Sequence, residues 1–251
     1  MLNAPLGRVE LRNSARKKHI YSSIAAFVSL IALPCLSQVF PTATPVNIAV
    51  ADSAALRHYR AANAAIHASG APVKVVFLGD SITEYWGSRA GVWFKETGWL
   101  NRGIGGQTTS QLLLRERFDV IALHPRALVI EGGSNDMRLG LSPKVIRDNI
   151  ASIGELAQGH GITVFVASMT PVCDCFRPIS GLRTVDRITR LNLLLRQLCL
   201  KKHWSFMKLT SALADASGQM RSTLTVDGVH PNEEGYLILG PLIAAYLKPF
   251  R

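Results

Sequence analysis

VVFLGDSITEYWG, residues 75–87, runs four apolar residues into Gly79, Asp80 and Ser81 and continues with Thr83 and Glu84. A short unbroken apolar run is the signature of a strand buried on both faces. A glycine, an acid and a hydroxyl at its end allow two readings. Asp80 and Ser81 cap the next helix, or Ser81 is a nucleophile presented where a strand turns into a helix. The remainder of the chain decides between them.

Downstream, the same pattern recurs. Val73–Leu78, Trp99–Arg102, Ala127–Ile130, Thr163–Ala167 and Ser205–Leu209 read as strands. Between them lie helical patterns. Ala54–Ala68 and Thr108–Ala122 are two. A third starts at the Ser142–Pro143 cap, carries an apolar face at Val145, Ile146, Ile150, Ile153 and Leu156, and stops at Gly159. Ile188, Leu191, Leu195 and Leu198 recur at helical spacing, and Glu233–Leu247 closes the chain as a helix bent at Pro241. Alternation of this kind predicts an α/β fold, a three-layer α/β/α sandwich around a roughly five-stranded parallel sheet. Such sheets bind ligands beyond the carboxyl ends of their strands, so site residues are expected just after strands.

Four stretches meet that condition: GDSIT (79–83), NRGIGGQTT (101–109), EGGSND (131–136) and DGVHP (227–231). Asp227 and His230 stand three apart in a turn held by Gly228 and Pro231. That spacing lets the carboxylate take the Nδ1–H of the imidazole, fix its tautomer and leave Nε2 as a general base for a serine. Alone, the pair reads as well as a capping acid beside a surface histidine. Ser81 supplies the hydroxyl, and its N–H stands free at a helix start. Gly105 and Gly106 permit close backbone approach, and Gly106 N–H and the Asn135 carboxamide supply further donors for an oxyanion. Thr83 replaces the second glycine of Gly-x-Ser-x-Gly, so an α/β-hydrolase elbow is not supported. The glycine loop lacks the Gly-Lys-Ser/Thr ending of a phosphate-binding loop. Nucleophile, oxyanion donors, acid and base all follow strands in one chain order.

These four blocks resemble those of the GDSL/SGNH serine hydrolases, over about Leu56 to Leu247. GDSIT is similar to the first block, NRGIGGQTT to the second, GGSND to the third and DGVHP to the fifth. The resemblance implies a flavodoxin-like SGNH fold, Ser81, Asp227 and His230 as catalytic residues, and an oxyanion hole of Ser81, Gly106 and Asn135. It implies a cofactor-free ester hydrolase, most similar to the acetylhydrolase-like branch that includes platelet-activating-factor acetylhydrolase subunits and bacterial acyl esterases. Ser134 stands where threonine is common and isoleucine follows Ser81, departures that touch no reacting group. PVCDCF (171–176) is individual to this chain and is placed at the substrate cleft. Tyr85, Trp86 and Trp93 either pack the first helix, the favoured reading, or flank an acyl group. The expected substrate is a small acyl ester or an acylated glycan. The alternatives are an acyltransferase using the same residues and a non-catalytic binding protein.

Composition sets the setting. The chain has 251 residues, 48% hydrophobic and 18% charged, with a formal net charge of +11. That suits one sizeable domain with a packed core. Residues 1–51 hold five Lys/Arg and one acid, and the body holds the other 23 and 16, a net +7. No basic run is interleaved with aromatics, so nucleic acid is not an expected partner. The densest basic cluster, Arg183, Arg187, Arg190, Arg196, Lys201 and Lys202, could face acidic envelope polymers.

Arg16, Lys17 and Lys18 precede an apolar run from Ile20 to Leu33, broken by Pro34 and Cys35. About 14 residues is signal-peptide length, shorter than the ~20 of a spanning helix. Residues 1–51 are therefore read as an export signal, or an uncleaved anchor, plus linker, with AVA (49–51) as a distant cleavage motif. Residues 52–251 are read as the hydrolase domain, in the periplasm, in the cell envelope or secreted, touching membrane only through such an anchor. Oligomeric state is not fixed. Cys173, Cys175 and Cys199 leave two readings, one of the first two paired with Cys199 or three unpaired thiols. CDC without a second pair or nearby histidines lacks zinc spacing.

Overall fold

The computed structural model describes residues 52–251. The export run Ile20–Leu33, its break at Pro34–Cys35 and the AVA motif lie outside the described residues. No helix among the described residues is long and apolar enough to cross a membrane.

Five strands form one sheet: β1 (Val75–Gly79), β2 (Trp99–Gly103), β3 (Ala127–Ile130), β4 (Thr163–Ala167) and β5 (Ser205–Met207). Their order is β2-β1-β3-β4-β5 and every pairing is parallel. The strands alternate their side chains between two cores, as a period of two requires. Val76, Leu78, Leu128, Ile130, Val164 and Val166 face one cluster; Val75, Phe77, Ala127, Val129, Phe165 and Ala167 face the other. Each side chain fully buried in this way contributes roughly 1.5–3 kcal/mol. With both faces covered, the strands read as unbroken apolar runs in the sequence.

The helices are α1 (Arg60–Ser69), α2 (Ser81–Tyr85), α3 (Thr109–Asp119), α4 (Ser134–Arg138), α5 (Pro143–Gly159), α6 (Val185–Lys202), α7 (Thr210–Leu213) and α8 (Glu233–Tyr246). Leu112 of α3, Ile146, Ile150 and Ile153 of α5, and Leu191 and Leu195 of α6 cover the first face. Tyr236, Leu239 and Ile243 of α8 cover the second, together with Trp86, Trp93, Phe94 and Trp99. The expected cap at Ser142 is present, its Oγ accepting the Val145 N–H at 3.3 Å. Helix α8 continues through Pro241. The first helix starts later than its composition predicts. Ala55 has φ +54, outside the helical region, and the Asp52 carboxylate takes the Leu56 N–H at 2.6 Å, so a turn occupies residues 52–59.

Register places the site. Gly79 pairs with Gly103 and Leu78 with Ile130, so β1, β2 and β3 end within one residue of each other and Asp80, Ile104 and Glu131 emerge at the same edge. The chain runs from β1 to β2 on one side and on to β3 on the other. The crevice of an open α/β sheet forms at that reversal.

One buried group opposes this packing. Glu116 of α3 is fully buried, and neither carboxylate oxygen has a hydrogen-bond partner among the described residues. Burial pushes its carboxyl from 4.5 up to about 8. Between those values the unfolded chain has released this proton and the native protein keeps it, so the contribution of Glu116 to stability falls as pH rises through that window. Glu116→Gln is expected to raise the thermal midpoint by a few degrees at pH 8, with little change near pH 4.5. Thermal melts across this range would check it; a variant no more stable at pH 8 than the parent would contradict the assignment.

Candidate active site

Asp80 follows β1 and caps α2. Its Oδ1 accepts the Ile82 N–H at 3.0 Å, the bracing expected of an acid at this turn. Ser81 is the first residue of α2, and its N–H has no partner among the described residues. Its Oγ lies 2.9 Å from His230 Nε2. On the other side of the ring, His230 Nδ1 lies 2.7 Å from Asp227 Oδ2. A carboxylate only accepts, so Nδ1 carries the proton and Nε2 is the acceptor for the Ser81 hydroxyl.

The turn that carries the acid and the imidazole is tied to itself. Asp227 Oδ1 accepts the N–H groups of Val229 and His230, each at 2.9 Å. Partial burial pushes the Asp227 carboxyl up, but the bonds from His230 and Val229 outweigh it and hold it below the ordinary value. Thr225 Oγ1 accepts the Gly228 N–H at 2.9 Å and donates to the His230 carbonyl at 2.7 Å. Gly228 has φ +94, and a Cβ there would stand 2.3 Å from the Cys173 carbonyl oxygen. Only glycine fits a turn pressed so closely on the neighbouring loop.

That neighbouring loop carries the PVCDCF stretch. The Cys173 N–H donates to the Gly228 carbonyl at 2.8 Å. Cys173 is bonded to Cys175, not to Cys199, which is buried in the core on α6 and free. Neither sequence reading of the cysteines holds: the partner of Cys173 is two residues away, with the Cα atoms 5.2 Å apart. Asp174, between them, accepts the N–H groups of Ile179 and Ser180 at 2.7 Å each and closes the loop.

The second strand end supplies the glycine loop. Gly106 is exposed with φ +79, and its N–H has no partner among the described residues. Gly105 is pinned, its N–H donating to Glu84 Oε2 at 2.9 Å, and a Cβ there would stand 3.7 Å from Ser81 Cβ. Asn135, on α4 after β3, donates from Nδ2 to the Gln107 carbonyl at 3.0 Å and to Asp80 Oδ2 at 3.3 Å. The Ser81, His230 and Asp227 side chains thus meet directly. Gly106 offers an unengaged N–H, and both Asn135 amide hydrogens are occupied, one by a long bond.

Several residues of the site carry no motif. Arg115 on α3 is fully buried; it donates to Gln107 Oε1 at 2.6 Å, Asp119 Oδ2 at 3.0 Å, and the carbonyls of Gly79 at 2.9 Å and Arg102 at 2.7 Å. It thereby fixes the ends of β1 and β2 and the residue whose carbonyl holds Asn135. Glu131, at the end of β3, accepts from Thr83 Oγ1 at 3.0 Å. Burial and the nearby Asp80 charge raise its carboxyl well above the ordinary value, and burial raises the Asp80 carboxyl as well. Of the three aromatics after Ser81, Trp86 and Trp93 pack the core as favoured, their rings 5.7 Å apart. Tyr85 turns to the site, its ring 4.9 Å from the His230 ring and covered by Arg89 at 3.9 Å.

The model of the GDSL-like lipase/acylhydrolase family matches residues 77–238. The crystal structure of a GDSL-like lipase from Bacteroides thetaiotaomicron VPI-5482 is 33% identical, covers 78% of this chain and 98% of its own, and superposes with a TM-score of 0.70. An acetyl-xylooligosaccharide esterase from Geobacillus, in a mutant form, shares the fold at 17% identity, with a TM-score of 0.55 over 70% of this chain and 94% of that one. The uncharacterized lipoprotein YqeF of Bacillus subtilis is 33% identical over 81 residues, 30% of this chain, and the match spans about a third (33%) of that relative's length.

Replacing Arg115 with methionine would orphan a carboxylate, an amide oxygen and two carbonyls at once. Breaking a buried ion pair from one side costs about 3–5 kcal/mol. Arg115→Met is expected to lose at least that much in urea denaturation; a loss under about 1 kcal/mol, the worth of a surface ion pair, would contradict the network described.

Proposed function

Because the chain belongs to the GDSL-like lipase/acylhydrolase family, a family of hydrolases, we propose that it is a serine esterase working through an acyl-enzyme on small, acetyl-type esters. The observation that carries this reading is the pair of short contacts, Ser81 Oγ to His230 Nε2 at 2.9 Å and His230 Nδ1 to Asp227 Oδ2 at 2.7 Å.

In this reading Ser81 Oγ attacks the ester carbonyl and its proton passes to Nε2. Asp227 keeps the imidazole in one tautomer and stabilises the imidazolium. The alkoxide of the tetrahedral intermediate is received by the N–H groups of Ser81 and Gly106 and by Asn135, whose 3.3 Å bond to Asp80 is the one exchanged for the substrate. The leaving alcohol takes the proton from Nε2. Water, deprotonated by the same nitrogen, then attacks the acyl carbon; the bond to Ser81 Oγ breaks, Oγ takes the proton back from Nε2, and the acid leaves.

Tyr85 beside His230 flanks the approach to the hydroxyl, which favours a short acyl group. The acyl group is carried on a lipid or a carbohydrate. Residues 52–251 form the hydrolase unit, and the basic-apolar segment before it directs the chain to the cell envelope. The match to a lipoprotein supports that placement.

Hydrolysis of 4-nitrophenyl acetate, butyrate and octanoate by the full chain tests the proposal. Turnover is expected to fall with acyl length and to vanish in Ser81→Ala. Asp227→Asn should lower kcat about 10⁴-fold by favouring the wrong tautomer. Asn135→Ala should lower kcat about 10²–10³-fold with little change in KM. Full turnover by a folded Ser81→Ala variant would overturn the assignment, and an acceptor alcohol that outcompetes water would make the protein a transferase.

A further inference from the structure

The end of the sheet opposite Ser81 carries a second feature. A hollow of about 450 Å³ is lined by His67, Lys74, His124 and Arg126 together with Ile66 and Leu123. Beside it, a hollow of about 480 Å³ is lined by Leu56, Arg57, Arg60, His67 and Phe118. His67 and Ala122 belong to both, so the two form one groove along α1. Six basic residues line it and no Asp or Glu does. Among the described residues none of the six makes an ion pair. The acids nearest in sequence are engaged: Asp119 binds Arg115 and Asn63, and Asp52 spends its carboxylate on the N–H groups of Leu56 and Arg57.

Position separates this groove from the ester site. Lys74 precedes β1 and His124 to Arg126 precede β3, whereas Ser81 follows the far end of β1. Five residues of strand put roughly 16 Å between the two ends. Within the groove, Leu56 and Phe118 are 38% and 51% exposed, apolar groups set among the cations. In sequence, the segment with Arg16, Lys17, Lys18 and the apolar run Ile20–Leu33 precedes Asp52, which binds the Leu56 N–H at this face.

We propose that this face docks on a layer of anionic phospholipid headgroups. Arg57, Arg60, Lys74 and Arg126, which make no ion pair among the described residues, meet the lipid phosphates, Leu56 and Phe118 enter the interfacial region, and Ser81 is left facing away from the bilayer. The other basic cluster, on α6, lacks this arrangement: Lys202 is paired with Glu155 at 2.7 Å, and Arg187 donates to the Leu182 and Leu141 carbonyls. The proposal is independent of the ester chemistry, and none of its residues belongs to the catalytic machinery.

The test is co-sedimentation of the full chain with vesicles of phosphatidylcholine alone and of phosphatidylcholine with phosphatidylglycerol. Tighter binding to the anionic vesicles is expected, with the difference collapsing in concentrated salt. Each cation near such a surface is worth roughly fivefold in partitioning, so the triple variant Arg57→Glu, Arg60→Glu, Arg126→Glu, which removes three cations and adds three anions, should lose at least about a hundredfold. Its ester hydrolysis should match the parent, which also reports that it is folded. A control reversing Arg190, Arg196 and Lys201 changes net charge equally and should keep most of the preference. Equal binding to both vesicle types, equal losses in the two triple variants, or capture by heparin without any preference for anionic vesicles would each overturn the proposal, the last in favour of an acidic polymer.

Discussion

A single buried guanidinium holds the ends of the sheet together. Arg115 reaches across from α3 to the carbonyl that closes β1, the carbonyl of Arg102 in β2 and the side chain of Gln107 in the glycine loop. Strand ends are where a parallel sheet runs out of partners, and the carbonyls there need donors that the ladder no longer supplies. Asp119 at one helical turn balances the charge. The Gly79–Asp80–Ser81 corner, the Gly105–Gly106 loop and, through the Gln107 carbonyl, Asn135 all inherit their positions from this contact.

Around that anchor the site is built with little redundancy. Two carboxyls, Asp80 and Glu131, sit under α2, and burial makes two adjacent charges untenable there. Asp80 caps α2 and holds Asn135, while Glu131 takes the Thr83 hydroxyl. The apolar layers contribute differently. They fix the level at which β1, β2 and β3 stop, and that level determines which residues become neighbours.

The fold was legible because burial on both faces writes itself into the sequence. VVFL, ALVI and TVFVA have no polar interruptions, and helical periodicity fills the gaps between them. The helix expected from Ala54 is shorter because an Asp52 turn competes with it, which propensity alone does not register. The four motif blocks led to Ser81, Gly106, Asn135, Asp227 and His230, since those residue types follow strands. What stayed hidden has a common cause. Arg115, Glu116 and Asp119 lie within RERFD, which reads as a solvated helix face; only tertiary packing turns these three inward. Glu84 looks like an ordinary helical acid until the glycine loop arrives beside it. The cysteine pairing was missed because a bond between residues two apart depends on local backbone shape, which spacing does not specify.

The Asp227–His230 turn has a consequence for how such a protein changes over evolutionary time. Acid and imidazole bind each other and the same four-residue backbone, so their mutual geometry is settled locally. The fold has to supply one long-range coincidence, the meeting of this turn with a hydroxyl 149 positions earlier in the chain. A machine with a single critical alignment tolerates extensive remodelling elsewhere. Loops such as 171–184 can lengthen, acquire a covalent staple or change polarity while the relay keeps its register, provided the one glycine-sized gap at Gly228 is respected. Diversification of what is cleaved then needs no reinvention of how it is cleaved.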